Sequence, residues 1–264
     1  MIRFTVVTIT YNAEAVLERT LDSVLHQTYE GVEHLIIDGA STDKTLKMAG
    51  RYKLRSDSEE QHGHKVIIQS EPDQGIYDAM NKGLTQASGD YIVFLNAGDF
   101  FPGNDTLETV AHEARLNELP SDELPAVLYG HTDIVDNEGR FLRHRRLQPK
   151  AGLTWRSFRH GMLVCHQAFY ARTDIAKNLQ YDTKYKYSAD VDWCIRVMRE
   201  AERLGLPLLY INKVVANYTE EGTTTRHHKE SLRERYRIMV SHYGHVSTFF
   251  MHIWFVIRSL FSHT

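Results

Sequence analysis

Residues 34–43 read His-Leu-Ile-Ile-Asp-Gly-Ala-Ser-Thr-Asp, an unbroken apolar run that ends on an acid and passes into small polar residues. A short apolar run bounded by turn-forming residues is typical of a strand buried on both faces. Strands of this kind belong to parallel sheets that carry helices on each side. The segment therefore predicts a central parallel strand followed by a polar loop.

Strands and helices are predicted to alternate through the first part of the chain. The strands fall at 4–10, 34–38, 65–69 and 91–95, and the helices at about 15–25, 45–52 and 75–87. We expect Ser41 or Thr42 to cap the second helix, and residues 55–64 to form a loop. The alternation predicts an α/β fold with a mostly parallel, doubly wound, Rossmann-like sheet and helices on both faces.

The second half of the chain has a less regular pattern. Apolar runs predict strands near 127–129 and at 162–165, and a helical pattern begins at Ser188 and runs to about Leu204. This half therefore gives a weaker guide to topology than the first half.

Composition excludes several classes of protein. Lysine and arginine (31) nearly balance aspartate and glutamate (34), and a net charge of −3 argues against a nucleic-acid partner. Cys165 and Cys194 are too few for a disulfide scaffold and lack a CxxC spacing, which predicts two buried thiols in a reducing compartment. The first residues lack the apolar core of a signal peptide. We therefore expect a cytoplasmic protein.

Polar residues follow the predicted strands at their carboxyl ends, where open α/β sheets bind ligands. The residues concerned are Thr10, Asn12, Asp38, Asp73 and Asp99. Because these ends meet at one edge of a parallel sheet, we expect the side chains to line a common site.

Five segments in sequence order carry a resemblance to a known family: residues 8–12, 21–29, 37–43, 71–83 and 94–99. Together they resemble the family 2 glycosyltransferases of GT-A fold that build bacterial surface polysaccharides. The resemblance spans residues 5–101. It implies an inverting transfer of a hexosyl or N-acetylhexosaminyl group from a nucleotide sugar, of UDP type, to a hydroxyl of a glycan or polyprenyl-linked acceptor.

The resemblance also implies roles for the strand-end residues. Asp38 is expected to accept hydrogen bonds from the base or ribose, with Thr10 and Asn12 in the same pocket. Asp73 is expected to contact the nucleotide, although its Pro-Asp-Gln-Gly setting is equally typical of a local turn cap. His166 and Gln167 are candidates for contact with the donor sugar or the acceptor; a structural role is the alternative for the histidine.

Residues 96–99 read Asn-Ala-Gly-Asp where the family commonly has two or three acids. Asp99 is the expected ligand of Mg²⁺ or Mn²⁺, and Asn96 offers a neutral oxygen. A single carboxylate is sufficient when substrate phosphates and water complete the coordination of such an ion. The sequence therefore predicts metal-assisted activity, with weak binding of metal in the absence of nucleotide.

Two carboxylates are candidates for the general base that such a transfer requires. Asp190 and Asp192 begin a helix, and the family signature aligns Asp190 with the base. Residues two apart on a helix do not share a face, so we expect one of the two to face the cleft. Asp192 is then expected to interact favourably with the positive end of the helix dipole.

The domain prediction divides the chain into a catalytic domain at 1–218 and a helical tail at 219–264. Within the first, residues 1–101 form the nucleotide half and 102–218 the acceptor and base half. The apolar stretch 246–261 is interrupted by polar residues and is short for a membrane span. We expect a helix on the inner leaflet, near Arg233, Arg235, Arg237 and Arg258; packing on the catalytic domain or on a second subunit is the alternative.

Two other functions compete with the glycosyltransferase. A sugar-phosphate nucleotidyltransferase shares the architecture but requires a glycine-rich phosphate loop after the first strand, where this chain has Thr10-Tyr11-Asn12-Ala13-Glu14. A non-catalytic binding or assembly subunit fits the reduced acid motif, but the presence of Asp38, Asp99 and Asp190 together argues against it.

Overall fold

A computed structural model of the chain describes residues 1–58, 64–220 and 228–261, with side chains up to residue 255 except that of residue 228. The strands are β1 (Phe4–Thr10), β2 (Val32–Asp38), β3 (Lys65–Ser70), β4 (Tyr91–Phe94), β5 (Val127–Val135), β6 (Phe141–His144), β7 (Phe169–Arg172) and β8 (Leu208–Thr219). The α-helices are α1 (Leu17–Leu25), α2 (Thr45–Ser58), α3 (Ile76–Gln86), α4 (Thr106–Glu113), α5 (Thr173–Ala176), α6 (Ala189–Leu204), α7 (His228–Tyr243) and α8 (His245–Phe261). Two short 3₁₀ segments, Trp155–His160 and His166–Ala168, precede β7.

One mixed sheet contains all eight strands. Its order is β3-β2-β1-β4-β7-β5-β6, and β8 pairs with β5. Strands β1 to β4 are mutually parallel, β7 is antiparallel to both of its neighbours, and β8 is parallel to β5. The predicted α/β architecture, mostly parallel with helices on both faces, is confirmed, and α7 and α8 form the C-terminal helical part.

Burial explains why the first strands read as continuous apolar runs. Every residue of β1, β2 and β4 is buried. On α6, the fully buried Trp193 packs against Phe94 and Phe169, with ring centroids 5.9 and 5.7 Å apart. The helix that begins with the candidate base is therefore fixed directly on the sheet.

Three local predictions are wrong. Helix α2 continues to Ser58 and includes the start of the expected loop. Its cap is Asp43, whose Oδ1 accepts from the Thr45 amide at 2.9 Å, because Ser41 and Thr42 are engaged elsewhere. Residues 162–165 are irregular. Met162 and Val164 are buried, but the backbone turns at Gly161 (φ 113°) and then carries His166 toward β4.

The C-terminal helices form a hairpin around Gly244 (φ 79°). Helix α7 packs on α6, and Tyr243 at its end stacks on Trp155 with centroids 5.6 Å apart. Within the described residues, no helix is long and apolar enough to cross a membrane. The predicted division at 218/219 falls at the end of β8.

Candidate active site

The carboxyl edge of β1, β2 and β3 brings three polar residues into one row. The register pairs Thr10 with Asp38, and Asp38 with Ser70. Asp38 is fully buried and accepts from the Ser41 amide (2.9 Å), the Ser41 hydroxyl and the Ser70 hydroxyl (2.6 Å). A nucleotide therefore reaches this carboxylate only if the Ser41 hydroxyl turns away. The Oγ1 atom of Thr10 is buried with no hydrogen-bond partner among the described residues.

Asn12 joins the two loops at this edge. It adopts a left-handed backbone conformation (φ 46°), which asparagine tolerates better than most residues. Its amide N–H donates to the Ser41 hydroxyl at 2.8 Å, and its Oδ1 accepts from the Thr42 amide at 2.9 Å. The side chain therefore holds the loop after β2 in place beside the predicted pocket.

Asp73 lies across the loop from Asn12, directly against Gly39. A Cβ atom at residue 39 would lie 2.4 Å from Oδ2 of Asp73, a distance that real side chains do not tolerate. Oδ1 of Asp73 accepts from the Gly75 amide at 2.9 Å, so the carboxylate is also the local turn cap. Glycine at 39 therefore allows the Asp73 carboxylate to lie directly against the loop that follows Asp38.

The acid of the tetrad, Asp99, is almost completely buried. Its Oδ2 accepts from Nε2 of Gln167 at 2.7 Å, and its Oδ1 accepts from the Thr219 amide at 3.1 Å. Burial raises the pKa of Asp99 to about 6, although these hydrogen bonds oppose the rise. Gln167 is itself 1% exposed, so in this conformation it positions Asp99.

Arg19 on α1 holds the loop that contains Asp99 in place. No feature of the sequence pointed to this residue. Its guanidinium donates to the carbonyl oxygens of Gly98 and Asn137 and to the Thr219 hydroxyl at 3.0 to 3.2 Å. It also lies over the ring of Phe100, 4.7 Å from the centroid. The side chain fixes the backbone on both sides of Asp99.

Asn96 and Asp99 provide oxygen donors of the kind that Mg²⁺ and Mn²⁺ prefer. Oδ1 of Asn96 is buried without a hydrogen-bond partner in the described parts of the chain, where each oxygen of Asp99 accepts one hydrogen bond. Within those parts, no three His, Cys, Asp or Glu side chains cluster closely enough to hold an ion. The residues fit an ion that takes its other ligands from phosphate and water.

Asp190, at the start of α6, is held at both carboxylate oxygens. Oδ1 accepts from the Tyr77 hydroxyl at 3.0 Å, and Oδ2 lies 3.2 Å from Nδ1 of His166. Burial raises the pKa of Asp190, but the contacts with His166 and Tyr77 and the charge of Arg235 outweigh it and lower the pKa overall. The carboxylate is therefore ionised at neutral pH.

His166 contacts both Asp190 and Asn96, the first residue of the tetrad at 96–99. Its Nε2 lies 3.1 Å from Nδ2 of Asn96, an amide donor, which leaves the ring proton on Nδ1 facing Asp190. From the sequence alone, His166 is a candidate for contact with the donor sugar or the acceptor. The structure brings it together with the predicted base and the predicted metal site.

Asp192 points away from this group, as expected for residues two apart on a helix. It pairs with Arg196 at 2.6 Å and with Nε2 of His242 at 2.8 Å. Although burial raises the pKa of Asp192, these partners lower it overall. Its contacts fasten α6 to α7.

Helix α7 also holds the segment that leads into Asp190. The Glu234 carboxylate accepts from the backbone amides of Lys186 and Tyr187, both at 2.8 Å. The hydroxyls of Ser231 and Ser188 lie 3.0 Å apart. Sequence reasoning missed Glu234 because a contact with distant backbone amides leaves no local pattern.

The sequence and the fold both match known proteins. A family model for glycosyl transferase family 2 matches residues 5–178. The chain belongs to this family. This assignment makes the protein a glycosyltransferase, so the nucleotidyltransferase and non-catalytic alternatives are not supported.

Two relatives of this glycosyltransferase are named for biosynthetic roles. It is 34% identical over 220 residues to the PGL/p-HBAD biosynthesis glycosyltransferase of Mycobacterium bovis, covering 83% of this chain and 77% of the relative. It is 27% identical over 223 residues to the amylovoran biosynthesis glycosyltransferase AmsB of Erwinia amylovora, covering 82% and 69%.

Solved structures with the same fold include two with bound ligands. The S. aureus TarS structure in complex with UDP-GlcNAc superposes with a TM-score of 0.67 at 19% identity, covering 90% of this chain and 66% of that one. The glycosyltransferase thus spans about two thirds of the TarS chain. The Pyrobaculum calidifontis mannosyltransferase with GDP-Man and Mn²⁺ gives a TM-score of 0.61 at 18% identity, covering 91% and 64%. At these identities the likeness establishes the GT-A fold.

Proposed function

We propose that this glycosyltransferase transfers a hexosyl or N-acetylhexosaminyl group from a UDP-sugar to a hydroxyl of a lipid-linked glycan, with inversion at the anomeric carbon. The observation that carries the proposal is the buried Asp190 carboxylate, held by Tyr77 and His166 and linked through His166 to the Asn96 and Asp99 edge. This connection supports assigning the base and the leaving-group site to one group of side chains.

The donor is assigned to the edge formed by Thr10, Asn12, Asp38 and Asp73. The unpartnered Thr10 hydroxyl supports this assignment, because a buried hydroxyl without a partner gains a hydrogen bond when a ligand arrives. Asp99 and Asn96 would hold Mn²⁺ or Mg²⁺, and such an ion would supply positive charge to balance that of the departing diphosphate. Gln167, the Thr219 amide and Arg19 keep the Asp99 loop in position.

Asp190 is assigned the role of general base. Its carboxylate takes the proton of the acceptor hydroxyl as the oxygen attacks the anomeric carbon, on the face opposite the departing nucleotide. The hydrogen bonds from Tyr77 and His166 fix the orientation of the carboxylate. Since the carboxylate is ionised in the resting protein, no earlier deprotonation is needed.

The test compares Asp190→Asn with Asp192→Asn in a transfer assay across nucleotide sugars, with and without Mn²⁺. Asp190→Asn is expected to lower kcat by about 10² to 10⁴-fold, the usual contribution of a general base. Asp192→Asn is expected to lower stability and to retain turnover. The reverse result would assign the base to Asp192, and anomeric retention in the product would contradict inversion.

Contact with a membrane surface is assigned to the outer face of α8. Five apolar side chains lie at helical spacing on this face and are exposed by 42 to 73%: Val246, Phe249, Phe250, Ile253 and Trp254. Phenylalanine and tryptophan are typical of helices that lie in the membrane interface. Arg233 and Arg237 are exposed on the adjoining α7 and add charge that attracts anionic lipid. Arg258 lies outside the described side chains.

Flotation with phosphatidylglycerol-containing vesicles tests this surface. The double variant Phe250→Ser/Trp254→Ser is expected to lose flotation, whereas Leu54→Ser, which removes an exposed leucine on α2, is expected to keep it. Flotation of the double variant at the wild-type level would contradict the membrane assignment. A smaller particle in gel filtration for the double variant would instead assign the face to a second subunit.

A further inference from the structure

A groove on the second half of the protein is lined by cations and carries no acid. Its volume is about 560 Å³, and it lies between the residues before the first 3₁₀ segment and that segment itself. The polar side chains of its lining are Gln148, Lys150, Thr154, Arg156, Ser157, Arg159 and His160. In a chain with a net charge of −3, a groove of this composition favours an anionic ligand.

Two of the cations are held in fixed orientations. The Arg156 guanidinium lies 4.4 Å over the ring of Trp155 and pairs with Glu202 at 2.6 Å. Arg159 donates from Nε to the Arg156 carbonyl at 3.1 Å, and its guanidinium lies over the Tyr243 ring. Among the described residues, the two terminal nitrogens of Arg159 make no hydrogen bond, so their N–H groups can donate to a ligand. An anchored arginine loses less rotamer freedom when it binds a ligand.

Lys150 and Arg159 have no carboxylate partner in the part of the chain that the structure describes. Among residues 1–58, 64–220 and 228–255, no acidic oxygen lies within ion-pair distance of either side chain. Arg156 shares its charge with Glu202, so Lys150 and Arg159 carry the uncompensated charge of the groove. Phosphate oxygens are ligands suited to such a pair.

The groove lies between the predicted base and the apolar helix α8. Tyr243, which stacks on Trp155 and donates to its carbonyl oxygen at 2.6 Å, is two residues before α8 begins. On the other side, the lining residue Leu163 is three residues before His166, which contacts Asp190. A molecule with an apolar chain, an anionic head and a sugar hydroxyl would meet matching chemistry in that order.

We propose that this groove binds the phosphate or diphosphate that joins the glycan acceptor to its lipid chain. The proposal rests on the proposed function, because it places the acceptor lipid at α8 and the acceptor sugar at Asp190. The shared chemistry is a phosphate ester at a membrane surface, whose source is either the polyprenyl-linked acceptor or an ordinary anionic phospholipid.

The test uses the double variant Lys150→Gln/Arg159→Gln in the full chain, with Lys177→Gln/Lys213→Gln as the charge-matched control, since both control lysines are exposed outside the groove. Binding is measured to phosphatidylcholine vesicles that carry polyprenyl diphosphate, phosphatidylglycerol or neither. Loss of two surface cations is expected to weaken binding to the polyprenyl diphosphate vesicles by about tenfold or more. The control is expected to bind like the wild type.

Three outcomes decide the proposal. Selective loss on polyprenyl diphosphate vesicles, with inorganic pyrophosphate competing in the wild type, supports it. Equal loss on phosphatidylglycerol vesicles overturns it in favour of a general lipid contact, and wild-type binding by the groove variant overturns it outright. Vesicle binding needs no turnover, so Asp190→Asn is expected to bind normally. Failure of transfer therefore remains distinguishable from failure of the groove.

Discussion

Nδ1 of His166 lies 3.2 Å from Oδ2 of Asp190, and the opposite ring nitrogen lies 3.1 Å from the amide of Asn96. One side chain thus touches both the predicted base and the predicted metal tetrad. Substrate contact, the role suggested by sequence, requires the imidazole to give up one of these contacts. The geometry favours a positioning role.

Replacing the imidazole tests that role. In His166→Gln, Asp190 loses a hydrogen bond that lowers its pKa, so the pKa of Asp190 is expected to rise. The acid limb of the kcat profile is then expected to move to higher pH, with kcat at neutral pH lower by about tenfold or more. Turnover measured across pH checks this. An unmoved acid limb with a raised KM for the acceptor would instead indicate direct substrate contact.

Replacing Glu234 is a second test of how the position of Asp190 affects activity. Glu234→Gln turns one acceptor oxygen into a donor that faces a backbone amide, so one of the Lys186 and Tyr187 N–H groups loses its partner. Such a loss costs about 1 to 3 kcal/mol. We expect kcat to fall about tenfold, with UDP affinity measured by calorimetry unchanged.

A matched control lies one turn earlier on α7. Glu230 is exposed, so Glu230→Gln is expected to leave kcat unchanged. A Glu234→Gln enzyme with normal kcat and reduced thermal stability would show that α7 acts only as a structural support.

Replacing Gly39 tests whether Asp73 belongs to the predicted nucleotide site. In Gly39→Ala the new methyl group would lie 2.4 Å from Oδ2 of Asp73, so the carboxylate must move out of the group. We expect UDP affinity to fall about tenfold, at the level of one lost charged hydrogen bond. Gly50→Ala, in a helical position with open space around it, is the control for glycine replacement. Equal UDP affinity in both variants would remove Asp73 from the site.

The first half of the fold was predictable because burial leaves a readable pattern. In β1 and β2 every residue is buried, and the sequence shows a β-branched run in β1 and the apolar run 35–37 in β2. Strand β6 is exposed throughout its length, which gives it no such run. The misassigned strand at 162–165 shows the converse, since Met162 and Val164 are buried without belonging to a strand.

The site was predictable where it follows strand ends and was missed where it depends on distant contacts. Thr10, Asp38 and Asn96 lie at or just after the ends of parallel strands, as the topology requires. The contact of Tyr77 with Asp190 spans 113 residues of sequence, and nothing local marks a tyrosine as its partner. Long-range polar contacts of this kind need the fold before they can be identified.

The pKa of Asp99 predicts that the Mn²⁺ requirement of the enzyme depends on pH. Because the pKa of Asp99 is about 6, the carboxyl group is mostly protonated below that pH. A protonated carboxyl group is a poor ligand for a metal cation. The Mn²⁺ concentration for half-maximal activity is expected to rise as pH falls through 6. Asp99→Asn is expected to raise it at every pH by about tenfold or more, whereas the exposed Asp122→Asn is not. An Asp99→Asn enzyme with the wild-type Mn²⁺ requirement would contradict the ligand assignment.

Burial of His34 is expected to make the folded protein less stable in acid. It is fully buried between the Thr8 hydroxyl (2.9 Å) and the Tyr52 hydroxyl (2.6 Å), and burial lowers its pKa to about 3. The unfolded chain therefore binds a proton below pH 6.5 that the folded protein does not, and stability falls with acid by up to about 1.4 kcal/mol per pH unit. In His34→Gln this part of the slope is expected to disappear from denaturant-unfolding free energies, while the exposed His112→Gln keeps it. Asp99 titrates in both proteins, so its opposite contribution cancels in the difference. Parallel acid slopes in wild type and His34→Gln would mean that the imidazole is protonated in the folded protein.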